Sequence, residues 1–315
     1  MEYILFLISC IIIIKASDIL VDSASSLAIK LKVPKSLIAL TIVAFGTCAP
    51  EVGISFSSIL RHNYSMAIAN VVGSCIVNIL FIIGLASFLH PIKLRRATTK
   101  RELPLLVLIT AVFSCVILDD MLVINKQNIL SRSDGIVLLI LFLIFILYLI
   151  GMARTNKKDE EENKAKYGTI KSISYLIFSI ILIVFSSDLL VDNAVKIAEN
   201  LSVSHKIITM LIVVIGTSLP ELVMTIRASK KEEYELAIGN IVGTNIFNIC
   251  IVLGLPVVLF GGIKVVDFNI IDMLTVMLSS IILYIFSKSE RKISRIEGFS
   301  MLLIFIIYYI YVLFI

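Results

Sequence analysis

Long apolar runs, rather than alternating or one-sided patterns, dominate this chain. Ten can be traced, at about 2–29, 34–60, 66–91, 103–118, 133–152, 172–199, 205–229, 236–262, 268–287 and 296–315. Most match the roughly 20 residues that a helix needs to cross a hydrocarbon core about 30 Å thick. Inside lipid each backbone N–H and C=O must find its partner within the protein, and a helix does this locally. The pattern therefore predicts an all-α membrane protein with ten transmembrane helices. Polar residues collect between the runs, with a few conspicuous exceptions inside them.

Composition supports the lipid bilayer as the solvent. Of 315 residues, 59% are hydrophobic and 16% charged, more apolar surface than a soluble fold of this length can hide. The first run starts MEYIL without a basic leader and carries Lys15, Asp18 and Asp22, so it is expected to be a span and not a cleaved signal. Cys10, Cys48, Cys75, Cys115 and Cys250 all fall inside predicted spans. An odd number at such places predicts free, buried thiols. No GxxxxGK[ST] motif occurs, and nothing points to a nucleotide, a nucleic acid or a resident cofactor.

The loop charges give an orientation. With the N-terminus outside, 21 of 28 basic residues fall at inside loops and span ends, grouped at 30–35, 93–101, 154–171, 227–231 and 288–295. Such a bias sets topology, and both termini are predicted outside. The sequence is also duplicated. SDILVDSA (17–24), GTCAPE (46–51) and NVVGSCIVNILFIIGL (70–85) return 170 residues later as SDLLVDNA, GTSLPE and NIVGTNIFNICIVLGL. Eight of the sixteen positions in the last pair are identical. Five spans per copy is an odd number, so the second copy is predicted upside down, an arrangement common in secondary transporters. Loop charge exchanges accordingly: RHNYS follows the second span of the first copy, whereas Arg227, Lys230 and Lys231 occupy the matching region. The predicted organisation is a first five-helix repeat at 1–152, a cytoplasmic linker at 153–171 and an inverted repeat at 172–315. The linker's DEEE (159–162) is read as a solvated charge block rather than a regulatory cation site.

The exceptions inside the spans carry the chemistry. Thr47 and Glu51 are four apart and share a helix face, as do Thr217 and Glu221. Pro50 and Pro220 have no N–H, so the carbonyls of Gly46 and Gly216 lose their helical partners. Ser74 with Asn78, and Thr244 with Asn248, repeat the four-residue spacing in the next spans. Carboxylate, hydroxyl, amide and bare carbonyl are all hard oxygen donors, suited to Ca²⁺ or Na⁺ rather than zinc or copper. An ionisable group at the bilayer centre costs about 2.5–3.5 kcal/mol on insertion scales. Two in matched positions beside matched prolines indicate a site rather than accidental core polarity. The small-residue spacings Gly239-x-x-x-Gly243 and Ala69-x-x-x-Gly73 are read as close helix packing. Asp18, Asp22, Asp188 and Asp192 have no helix breaker beside them. They are expected at helix interfaces or a hydrated vestibule, with Lys15 within reach of Asp18. His62, His90 and His205 lie near predicted turns and read as surface residues.

On GTCAPE with NVVGSCIVN, and GTSLPE with NIVGTNIFN, the chain resembles the prokaryotic sodium/calcium exchanger branch of the calcium/cation antiporter superfamily. The resemblance spans the whole ten-helix layout. It implies four core helices (spans 2, 3, 7 and 8) around the ions, with spans 1 and 6 sliding across them. Carried over by motif, the ligands are Thr47, Glu51, Ser74, Asn78, Thr217, Ser218, Glu221, Thr244 and Asn248, with backbone carbonyls near Ala44 and Val214. Two positions depart from the pattern: Cys48 stands where the first repeat usually has serine, and Asn248 where several relatives carry aspartate.

The expectation is a non-enzymatic antiporter in the cell membrane. It would act as a monomer and exchange Na⁺ for Ca²⁺ by alternating access, with both ions as cargo. A proton/calcium or other divalent exchanger using the same glutamates is the alternative, and a passive cation channel a more distant one. No serine–histidine arrangement or HExxH supports an intramembrane hydrolase.

Overall fold

A computed structural model describes residues 2–60, 62, 64–118, 129–155, 165–200, 214–265 and 270–314. These residues form helices and four two-residue strands. Among the described residues eight helices are long and apolar enough to cross a membrane, and one further pair is so as a bent span. Helix α1 (Glu2–Leu31) is followed by the bent pair α2 (Lys35–Thr47) and α3 (Ala49–Leu60), which meet at 47°. The segments Tyr64–Ile76, Val77–Ile83 and Gly84–Leu89 run on as one helix, α4. Then come α5 (Thr98–Leu118), α6 (Arg132–Thr155) and α7 (Thr169–Asn200). A second broken pair, α8 (Val214–Thr217) and α9 (Leu219–Lys230), follows. The chain ends with α10 (Tyr234–Phe260), α11 (Ile270–Lys288) and α12 (Arg295–Phe314). The first part of the expected seventh span, His205 and the DEEE block all lie outside the described residues.

The centre belongs to α4 and α10. In their most apolar windows 78% and 83% of residues are buried, against 22% in α6 and α12, so the last two present most of their surface to lipid. Glycine permits the central approach. A Cβ on Gly239 would come within 2.7 Å of Ala39, and one on Gly243 within 2.9 Å of the Leu40 backbone. The spacing read as close helix packing therefore seats α10 on α2, at Ala44.

The duplicated sequence folds alike at several points. Both α4 and α10 widen into a π-helical turn, at Val77–Ile83 and Asn248–Leu253, directly beyond the Ser74 and Thr244 turns. Left-handed residues His62 (φ 58°) and Glu232 (φ 59°), again 170 apart, turn the chain out of α3 and α9. α6 and α12 each open with a reciprocal cap. The Ser131 N–H donates to Asp134 Oδ2 at 2.7 Å, and the Ser294 N–H to Glu297 Oε2 at 2.7 Å. Strand β1 (Ile92–Lys93) pairs antiparallel with β4 (Lys292–Ile293), and β2 (Ile129–Leu130) with β3 (Ile263–Lys264).

Two expectations need correction. All five cysteines are free, but only Cys48, Cys75 and Cys250 are buried, Cys10 is partly so and Cys115 is exposed. Lys15 is exposed and is not the partner of Asp18, because a guanidinium from α9 reaches that carboxylate with two N–H groups. A planar fork matched to a carboxylate is a stronger partner than a lysine one turn away.

Candidate ion-binding site

Each broken pair is interrupted by one residue. Cys48 (φ −75°, ψ 1°) ends α2, and Ser218 (φ −90°, ψ 11°) separates α8 from α9. The Cys48 N–H still bonds the Ala44 carbonyl at 3.1 Å, and the helix resumes with the Val52 N–H on Cys48 O at 3.0 Å. The second copy resumes with the Leu222 N–H on Ser218 O at 3.0 Å. Pro50 and Pro220 occupy the second position of the restarted helices, where a missing N–H costs least. Glu51 and Glu221 thus fall in the first turns of α3 and α9, where the exposed amide dipoles favour a negative charge.

Packing crosses between the halves. α3 lies on α4 and also on the π-turn of α10, while α9 lies on α10 and on the π-turn of α4. The carboxylates of Glu51 and Glu221 therefore converge, close enough to repel one another. The Thr47 hydroxyl lies against Glu221 and bonds to Ala44 O and Asn240 Oδ1, each at 3.3 Å. Cys48 is within electrostatic reach of both carboxylates, with Thr244 beside it.

Many of the polar atoms here are buried and, among the described residues, unpaired. Glu51, Ser74, Asn78, Ser218, Glu221, Thr244 and Asn248 are all at 0% exposure. Among the described residues no hydrogen-bond partner reaches either oxygen of Glu51 or Glu221, the hydroxyls of Ser74, Ser218 and Thr244, Asn78 Oδ1, or either side-chain atom of Asn248. A buried polar group without a partner costs about 1–3 kcal/mol, more when charged. So many at one place call for an explanation, and a ligand that satisfies them is one. Thr47 is buried as well, and Thr217 is partly buried at the end of α8. Val214 opens α8. Ala44 is buried, and its carbonyl already accepts two hydrogen bonds. Among the described residues no three His, Cys, Asp or Glu side chains cluster as a resident metal centre. The chemistry is two carboxylates among neutral oxygens, a set that fits hard cations.

Three asparagines support this lining without having been singled out from the sequence. Asn70 donates to Glu51 O and Ser55 Oγ, both at 3.0 Å, bracing α3. Its counterpart Asn240 accepts from Thr47. Asn245 binds Asn78 at 2.9 Å and Cys75 O at 3.3 Å. The available signal for the first two was identity at the head of both sixteen-residue blocks. Asn245 stands where the copies differ and gave none.

The four aspartates separate. Asp18 is clasped by Arg227, and Asp22 by Lys231 and Lys166 at 2.6 Å each. The Asp22 carboxylate holds the Lys166 ammonium above its ordinary value. Asp188 and Asp192 are exposed on α7 and form no ion pair among the described residues. Asp188 nevertheless lies within electrostatic reach of Glu51. His62 is exposed in its turn, as expected.

Comparison with known proteins bears directly on this architecture. The family described as "Sodium/calcium exchanger protein" matches residues 1–151 and 171–314. The chain is 33% identical over 267 residues to the inner membrane protein YrbG of Escherichia coli, covering 82% of this chain and 80% of that one. It is 29% identical to the sodium/calcium exchanger MaX1 of Methanosarcina acetivorans, over 99% of this chain and 98% of the relative. A solved structure of the sodium-calcium exchanger NCX_Mj, soaked with sodium and without calcium, superposes with a TM-score of 0.82 at 30% identity, over 97% of both chains. With both halves of the chain matched, this multi-pass membrane protein belongs to the sodium/calcium exchanger family.

Proposed function

We propose that this antiporter of sodium and calcium binds its cargo at Glu51 and Glu221. Thr47, Ser74, Asn78, Thr217, Ser218, Thr244 and Asn248 supply neutral oxygens. The carbonyls of Ala44 and Val214 complete the set once the Thr47 hydroxyl turns from Ala44 to the ion. One observation carries the reading: seven of the donors that the duplicated motifs nominate, Glu51, Ser74, Asn78, Ser218, Glu221, Thr244 and Asn248, are fully buried with oxygens left without a hydrogen bond among the described residues. Calcium takes 6–8 oxygens and prefers carboxylates that offset its charge. Two glutamates neutralise one Ca²⁺, and several Na⁺ ions fit the remaining donors. An empty site keeps two negative charges in a low-dielectric centre, where their repulsion opposes closure. Only loaded forms then cross between faces, which couples the two fluxes.

The reading includes ten spans as two inverted five-helix repeats, a cytoplasmic linker, both termini outside and a functional monomer. The strand pairs support the inversion. α5 leads from β1 to β2, and α11 from β3 to β4; because β1 joins β4 and β2 joins β3, the fourth spans of the two halves run in opposite directions. In the proposed cycle external sodium is exchanged for cytosolic calcium. Vesicles containing the purified protein test it: an outward sodium gradient should drive uptake of radiolabelled calcium, and Glu51→Gln or Glu221→Gln should abolish it. Persistent uptake in either variant refutes the assignment. Calcium flux driven by a pH gradient without sodium would instead make the carrier proton-coupled, and flux without counterflow would make it a channel.

A further inference from the structure

Two side-chain amides meet between the halves in an order that a backbone carbonyl dictates. Asn245 of α10 and Asn78 of α4 are both buried, at 1% and 0% exposure. An amide side chain has one accepting and one donating end, and the two look alike in shape. Which end faces a neighbour is decided by the hydrogen bonds around it. Here the decision begins at Cys75, whose carbonyl can only accept. It lies 3.3 Å from one end of Asn245, so that end is the NH₂ group. The Oδ1 of Asn245 then faces Asn78 at 2.9 Å, which requires Asn78 to present its NH₂ in return. The remaining atom of Asn78 is its oxygen, and that is the atom left without a partner among the described residues.

The second half lacks the device. The residue 170 positions before Asn245 is Cys75, which has no amide to offer. Correspondingly both ends of Asn248, the counterpart of Asn78, are unpaired among the described residues. The same amide thus occurs twice at the site, polarised in one copy and unassigned in the other.

We propose that Asn245 is a positioning residue for cation binding, holding Asn78 so that it offers oxygen rather than NH₂ to the ion. An NH₂ group turned toward a cation presents partial positive charge and removes a ligand, so the orientation decides whether Asn78 contributes at all. Asn248 has no such constraint and takes its orientation from the ion. The proposal deepens the exchange reading above and rests on its placing Asn78 against the cargo.

The test is a double-mutant cycle on the full-length protein, read by equilibrium binding of calcium and by the calcium-induced rise in melting temperature. In Asn245→Leu the Asn78 amide is free to flip, and calcium affinity should fall about tenfold, the effect of one hydrogen-bond-sized term. In Asn78→Asp both ends are oxygen, and native Asn245 then aims its own Oδ1 at a carboxylate. Asn245→Leu should relieve that repulsion, leaving affinity unchanged or improved in the Asn78→Asp background. A reversed sign between backgrounds is the signature of orientation; mere packing would lower affinity equally in both. Equal losses in the two backgrounds, or no loss in Asn245→Leu alone, overturn the proposal. The melting temperature without calcium reports whether each variant is folded, and Asn245→Ala, which also removes the amide, replaces Leu if it is not. Failure of the exchange reading looks different: wild-type calcium binding would be absent or untouched by Glu51→Gln.

Discussion

The two copies of the SDxLVDxA sequence make the most instructive contrast in the molecule. In α1, Asp18 and Asp22 form ion pairs with Arg227 of α9, with Lys231 just beyond its end, and with Lys166 from the connecting segment. In α7, Asp188 and Asp192 stand exposed. The local sequence is nearly the same, so the difference comes from the facing helix. The position matching Arg227 in the first half is Ser57, which bears no charge. Duplicated sequence therefore builds two similar helices, of which only one has its aspartates ion-paired among the described residues. The ion-paired face is the one carrying the linker, where Lys35 also bonds Glu233 at 2.7 Å and Ser25 bonds it at 2.9 Å. The opposite copy leaves a carboxylate, Asp188, within electrostatic reach of Glu51. A cation approaching the site would meet negative charge along α7 and paired charge along α1.

The largest expected effect comes where the halves are most alike. Glu51→Gln and Glu221→Gln should each lower sodium-driven calcium flux by more than about 100-fold, since each removes half the charge that offsets the ion. If either variant stayed active, the assignment of the cargo to the paired glutamates would fall. Next is Gly243→Ala, which drives a methyl into the Leu40 backbone. Overpacking of this kind costs about 1–3 kcal/mol, and thermal unfolding in detergent should show the loss.

Smaller effects sharpen the contrast between copies. Arg227→Gln leaves Asp18 partly buried without its main partner, each side chain being 25% exposed. Partial screening by solvent reduces the cost to about 1–2 kcal/mol, whereas Asp188→Asn should leave the unfolding temperature unchanged. Equal shifts for the two would erase the distinction drawn here. Cys48→Ser makes the two breaks chemically alike by adding a hard oxygen where a thiol now stands. Apparent sodium affinity should rise a few-fold in flux titrations, with the calcium response moving less. Lys166→Gln is the mildest, because its side chain is 61% exposed; stability should change by no more than about 0.5 kcal/mol.

Much of the candidate site could be read before any coordinates. Proline and glutamate within an apolar run are costly alone, and their return 170 residues later exposed them as paired parts of one feature. Hydroxyls and amides at four-residue spacing were visible for the same reason. Asn245 was invisible because it works through a departure from the repeat, and its meaning depends on a carbonyl across the helix interface. Asn70 and Asn240 were quoted within repeated blocks, yet nothing local says that one braces Glu51's backbone while the other receives Thr47. The pairing of Asp18 with Arg227 joins residues 209 positions apart, and helical periodicity favoured the nearer Lys15.

By itself the sequence determined the solvent, the helical spans, the two interruptions and the oxygen character of the donors. Each follows from local chemistry: lipid demands internally bonded backbone, proline removes a donor, and hard cations need oxygen. The tertiary structure decided which donors converge, which carboxylates are neutralised by distant cations and which end of a buried amide faces the site. Those outcomes depend on contacts between segments far apart in the chain, where a backbone carbonyl or a guanidinium on another helix sets the direction of a bond.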